Sequence, residues 1–216
     1  SEDFFENLAE QMDEKELGAL AAEMLEMYRE DKESRSEWEK TYSDGLGLLG
    51  MESDDRSQPF QGASGVYHPL LSEAVAQFQA SAYKELLPAG GPVSTRVVGK
   101  VTPERAEQAD RVKEFMNYQI TEVMQEYDPE LDQMLFYLPL SGSSFKKVYY
   151  DENLNRAVAK FISSEHLVVP YETTDLKSAT RITHVIQMNT NDVRKLQQSG
   201  FYRDVELIPG PLPDSP

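Results

Sequence analysis

The 216-residue chain contains no cysteine. Disulfides, thiolate metal sites and cysteine nucleophiles are excluded together. Three histidines leave little material for a metal cluster. Basic side chains are scarce: Lys+Arg number 21 against 38 Asp+Glu, a formal net charge of −17. Tight wrapping of nucleic acid needs an excess of Lys and Arg to displace counterions, so this balance argues against it. It argues equally against docking on an anionic membrane surface. No apolar run approaches the ~18 residues that a membrane span requires. The first residues, Ser1-Glu2-Asp3-Phe4, are acidic, and no signal or transit peptide is expected. What remains is 39% hydrophobic and 10% aromatic, enough for one core.

The acidity is uneven. Residues 1–40 carry 14 acidic and 5 basic side chains. Asp13 can cap a helix there, and Leu17, Leu20, Met24 and Tyr28 draw one apolar stripe. Trp38, Tyr42, Leu46 and Leu49 continue it, so the arm reads as one long helix or two. Residues 50–65 read as a loop rich in turn formers. A strongly amphipathic helix follows, with Pro69 in its first position and Leu71, Val75, Phe78, Ala82 and Leu86 on one face. Pro88, Gly90 and Gly91 end it. Val93, Thr95 and Val97 alternate, which predicts a strand over 92–101. Thr102 caps a next helix, whose stripe runs through Ala109, Val112, Met116, Ile120 and Val123 to Tyr127. Asp128-Pro129-Glu130 starts a short apolar helix that stops near Pro139. Beyond Ser143 the period changes to two. Phe145–Tyr150 and Ala157–Phe161 predict a β-hairpin, Leu167–Pro170 a short edge strand, and Arg181–Met188 a further strand. Asn191-Asp192-Val193 opens a last helix that Gly200 ends. The expected organisation is an acidic helical arm (1–50), a body (51–207) and a proline-rich tail (208–216). The expected class is α+β, long amphipathic helices packed on a small antiparallel sheet.

Short chemical motifs do not survive their structural requirements. Gly45-Leu46-Gly47-Leu48-Leu49-Gly50 fits G-x-G-x-x-G, but a helix precedes it and an acidic loop follows, the reverse of a dinucleotide turn. Ser81-Ala82-Tyr83-Lys84 and Ser144-Phe145-Lys146-Lys147 fit S-x-x-K without companion motifs. There is no P-loop and no calcium loop. His68, His166 and His184 are dispersed. Lys146-Lys147 beside Phe145, Tyr149 and Tyr150 would be a small basic–aromatic patch, but two lysines are too few for one and a strand's solvent face explains them. No catalytic residue, cofactor or metal is therefore expected, and the chain reads as a non-enzyme.

One ordered set of segments goes further. Pro59-Phe60-Gln61-Gly62-Ala63-Ser64-Gly65-Val66 runs into His68-Pro69-Leu70-Leu71-Ser72-Glu73-Ala74, Gln77-Phe78-Gln79-Ala80 and Lys84-Glu85-Leu86-Leu87-Pro88. Gly91-Pro92-Val93, Val97-Val98-Gly99 and Tyr127-Asp128-Pro129 follow. Then come Gly142-Ser143-Ser144-Phe145-Lys146-Lys147-Val148-Tyr149 and Phe161-Ile162-Ser163-Ser164-Glu165-His166-Leu167-Val168-Val169-Pro170-Tyr171. In this order they resemble the N-terminal part of the portal proteins of tailed bacteriophages. The resemblance covers roughly residues 36–207 and is densest over 57–151.

The resemblance implies a wing-like fold and a homo-oligomeric, usually dodecameric, ring at one capsid vertex. Double-stranded DNA passes through such rings in packaging and ejection. The terminase large subunit docks on them and hydrolyses the ATP, and capsid and tail or adaptor proteins bind later. The implied location is the virion, and the host cytoplasm during assembly. Family members are several times longer, with stem helices, a clip and often a crown. The matched segments are those of the outer wing, so the chain is expected to be a fragment or the product of a truncated or split gene. Phe60, Tyr67, His68 and Phe78 join an aromatic loop to the strongest amphipathic helix and are candidate subunit contacts. The plainer alternative is that these side chains fill their own subunit's core. A monomeric adapter or scaffold protein, or a small hydrolase, remains as the alternative function.

Overall fold

The computed structural model describes residues 11–49, 60, 62, 68–151 and 154–207. The architecture is α+β, and the chain divides into two compact units, 1–183 and 184–216. In chain order the larger unit holds α1 (Glu14–Ser34), α2 (Ser36–Leu49), α3 (Leu70–Leu86) and α4 (Pro103–Tyr118), which runs into a single π turn (Gln119–Val123). Then come α5 (Tyr127–Ser141), β1 (Phe145–Asp151), β2 (Arg156–Ile162) and β3 (Leu167–Val168). β3 pairs with β4 (Thr183–His184), at whose first residue the larger unit ends.

α5 is the hub. Leu131 and Leu135 are buried on it, and Val158, Ala159 and Ile162 are buried on β2 against it. Burying each large side chain is worth about 1.5–3 kcal/mol. β1 and β2 form the expected antiparallel hairpin, Phe145 opposite Ile162 and Asp151 opposite Arg156. The outer edge of β2 has carboxylates where a third strand would lie. Phe161 N–H donates to Glu130 Oε2 at 2.6 Å, and Ala159 N–H donates to Glu126 Oε1 at 3.4 Å. On another side of α5 lies α3, whose Val75 is buried. There the Gln79 amide donates to the Asp132 carbonyl and carboxylate.

The acidic arm is two helices. The capping box at Asp13 and Glu16 starts α1, as the sequence predicts. The break comes at Arg35 (φ −104°, ψ 12°). Its guanidinium leaves the helix to meet three consecutive-turn carbonyls: Ser164 at 2.8 Å, Glu165 at 2.7 Å and Leu167 at 3.0 Å. Its Nε donates to Glu39 at 2.9 Å. Asp31, buried near the end of α1, takes a bidentate bond from Arg181 with both N–O distances 2.6 Å. On α2, Trp38 stacks on Tyr42 and donates its indole N–H to the Ser141 carbonyl at the end of α5. Burial pushes the Tyr42 phenol above its usual range.

Several expectations need correction. Residues 92–101 form no strand: they run as irregular chain, bent at Pro92 and again at Gly99-Lys100, without a partner strand among the described residues. Alternation describes a ribbon but does not supply a neighbour to bond it. The helix opened by Thr102 stops at Tyr118, where the backbone widens into the π turn, and Tyr127 starts the next helix. α5 runs past Pro139, which sits in its last turn. The stop is Gly142, at φ +76°. The strand expected over 181–188 shrinks to Thr183–His184. Pro69 caps α3 and does not begin it. Gly45 and Gly47 lie inside α2, a helix end and not a phosphate loop. The loop expected over 50–65, except Phe60 and Gly62, and the tail expected over 208–216 lie outside the described residues.

The smaller unit holds α6 (Thr190–Gln198). Asn189 caps it by accepting from Asp192 N–H, and Gly200 ends it at φ +76°. The Gln197 amide then donates to the Arg203 and Val205 carbonyls, which folds the following segment back on the helix end.

The Arg35 fork generates a test. Arg35→Ala strips three carbonyls of a charged donor and should cost about 2–4 kcal/mol in urea unfolding. Arg35→Lys should recover less than half, because one ammonium cannot span the three acceptors. A loss for Arg35→Ala within the error of the urea fit would remove Arg35 from this role.

Candidate interaction surface

The predicted contact residues fall on the surface. Phe60 is 69% exposed and Phe78 41% exposed, and His68 is exposed ahead of α3. Tyr67 lies outside the described residues. Phe78 lies three residues beyond the buried Val75, on the same side of α3, and is only partly covered. The structure therefore does not place Phe60 or Phe78 in the core.

The larger unit also carries two clefts. The first, of about 400 Å³, lies between the end of α3, the Gly90-Gly91 turn, the π turn and the start of α5. At its edge the Tyr83 hydroxyl donates to Asp128 at 2.5 Å. That bond pushes the Tyr83 phenol upward. Asn117 closes the floor: its carboxamide oxygen accepts from Val93 N–H at 2.9 Å and its NH₂ donates to the Val93 carbonyl at 3.1 Å. One side chain thus does for Val93 what a neighbouring strand would do. Gly91, at φ +93°, lets the chain pass, since a Cβ there would lie 2.6 Å from the Asn117 side chain. The Thr121 hydroxyl is already engaged on the Asn117 carbonyl.

The second cleft, of about 470 Å³, is an open groove between residues 95–98 and α4. Thr95 and Val98 form one wall, and Gln108 and Val112 the other. Arg96 and Arg105 stand in it, and no carboxylate lines it. The Thr95 hydroxyl donates to the Ala109 carbonyl and holds the segment to the helix. No residue of α4 is buried, and Val112, Phe115 and Met116 are 47%, 59% and 40% exposed.

Charged pairs elsewhere serve the hairpin. Arg156 donates to Glu126 at 2.8 Å. This bond holds the Glu126 carboxyl below its ordinary value of 4.5, against the smaller opposing effect of burial. Lys146 sits with Nζ 3.8 Å from the centre of the Tyr127 ring. Burial pushes its ammonium below the ordinary 10.5, and Glu130 opposes that shift. The Lys146-Lys147 pair is thus divided: Lys146 is half-buried on Tyr127, and Lys147 stands exposed beside Tyr149. Ser81 and Lys84 are both exposed on α3. Among the described residues no three His, Asp or Glu side chains cluster as a metal site, and no helix is long and apolar enough to cross a membrane.

Sequence reasoning missed the groove because it read 92–101 as a paired strand and 103–127 as a packed helix. A signal was present. Seven of the sixteen residues of α4 are charged, spread around the helix, which does not suit a helix packed in a core.

Two outcomes follow. Gly91→Ala should destabilise by about 1–3 kcal/mol through its backbone angle and the Asn117 contact, read as a lowered urea midpoint. Stability drawn from Glu126 is complete above pH about 4.5 and is lost as the pH falls through its lowered folded value. Glu126→Gln should therefore flatten the acid side of the stability–pH curve and leave its slope above neutrality unchanged. An unaltered acid limb would refute the assignment.

Comparison with protein-family models and with curated proteins finds no match to this chain.

Proposed function

We propose that this chain is a structural subunit, the wing portion of a tailed-bacteriophage portal ring. The observation that carries the reading is the ordered run of portal-like segments from Pro59 to Tyr171. Three of those segments are joints of the larger unit. Tyr127-Asp128-Pro129 opens α5, Gly142–Tyr149 carries the chain from α5 into β1, and Phe161–Tyr171 spans the end of β2 and all of β3. The α+β architecture is compatible with a wing. Exposed Phe60 and Phe78 suit subunit contact, since aromatic side chains concentrate at interface centres.

The function is then mechanical. Copies assemble around a channel, double-stranded DNA moves through it, and the terminase motor, the capsid and the tail attach to the ring. A net charge of −17 per copy suits a conduit. Where surface of that sign faces the channel it releases no phosphate counterions on contact, so DNA slides and does not stick.

Native mass spectrometry and negative-stain microscopy of the purified chain test this reading. Closed rings, twelve-fold by resemblance, are the expected result. A monomer at every concentration up to the solubility limit would overturn it. Phe60→Ala should weaken assembly while leaving thermal unfolding nearly unchanged, within about 0.5 kcal/mol, because its side chain is largely exposed. Phe78→Ala should weaken assembly and also cost about 1–2 kcal/mol from the covered part of its ring.

A further inference from the structure

Two helices of the larger unit carry apolar faces that none of its described residues covers. α4 has no buried side chain, yet Val112 and Phe115 stand exposed on it, and Val98, 88% exposed, stands beside it. Most helical stability in proteins comes from packing of an apolar face, which α4 lacks among the described residues. α1 is the second. It is tied to the unit at its C-terminal end, through Asp31 and Arg35. Towards its start, Leu20 and Met24 are 41% and 62% exposed.

We infer that α1 of one copy docks into the α4 groove of a second copy. Charge selects the pairing. The groove holds Arg96 and Arg105 with no lining carboxylate, and neither guanidinium is in an ion pair among the described residues. In a chain with 38 acidic and 21 basic residues this is an unusual surface. α1 is its complement: Glu16 and Glu23, seven residues apart, flank the Leu17–Leu20–Met24 stripe on one side. Length matches as well. The α4 wall of the groove, Arg105 to Val112, spans seven steps, roughly 10 Å, the same as the stripe from Leu17 to Met24. Because the two surfaces differ, each copy offers one of each. Such a heterologous contact propagates into a ring or filament and does not close as a two-fold dimer.

The choice of a second copy as occupant rests on the subunit reading above. The absence of cysteine makes the test clean. Met24→Cys and Val112→Cys are made separately in the full chain, and circular dichroism and thermal unfolding confirm that each folds as the parent does. Under mild oxidation the mixture should give a disulfide-linked dimer, and each variant alone should not. Adding Arg105→Glu to the Val112→Cys chain should cut the yield roughly fivefold, and Glu23→Lys in the Met24→Cys chain should restore it. Equal cross-linking of either variant alone would mean a like-with-like contact and overturn the inference. So would an uncross-linked mixture. If the parent forms rings while the mixture stays uncross-linked, the ring is built on other surfaces: the inference fails and the subunit reading stands. A monomeric parent removes both.

Discussion

The larger unit depends on the contact between α5 and the outer edge of β2. A two-stranded hairpin is marginal in water because each strand has one unpaired edge and one uncovered face. Here both are satisfied by the same helix. Leu131 and Leu135 cover the face, and the carboxylates of Glu126 and Glu130 accept from the N–H groups of Ala159 and Phe161. A third strand would offer an edge of its own to the next chain. Carboxylates end the sheet with charge. Arg156 compensates Glu126 at 2.8 Å, so the negative end of this arrangement is not left alone.

The other elements are fastened to that hub by polar contacts more than by an extended core. α2 reaches the end of α5 through the Trp38 indole on the Ser141 carbonyl. The turn after β2 is held by the Ser164 hydroxyl on the Ser143 carbonyl and by the Arg35 fork. α1 is secured by Asp31 and Arg181. α3 lies on α5 with Gln79 on Asp132. Nine apolar residues are buried among the described ones, and many large apolar side chains stand exposed. This distribution suits a part whose remaining faces meet other subunits.

Local features of the chain were legible in the residues. The Asp13 and Thr102 caps, the hairpin, and the amphipathic stripe of α3 all follow from spacing and capping chemistry acting within one turn or one pair of strands. The α4 region was not. Valine alternation over 93–97 states that the backbone is extended, but pairing needs a second edge. Asn117, twenty-four residues away, takes that place for Val93. Likewise the stripe from Ala109 to Tyr127 has helical period but not helical continuity, because the π turn shifts its phase before Tyr127. The candidate contacts Phe60, His68 and Phe78 were found from an aromatic loop joined to an amphipathic helix, whereas the cationic groove came into view only once segment and helix were set side by side.

The sequence by itself determined the class of the fold, the acid excess, the lack of thiol chemistry and the position of most helices. Each of these follows from residue type and short-range periodicity. Tertiary structure decided which apolar faces are used. Helical period marks Val75 and Val112 alike as apolar stripe positions, yet Val75 is buried against α5 and Val112 lies open to solvent. Burial is a property of what lies opposite a side chain. That partner is set by long-range closure of the chain, in which Arg35 reaches Ser164 and Asp31 reaches Arg181.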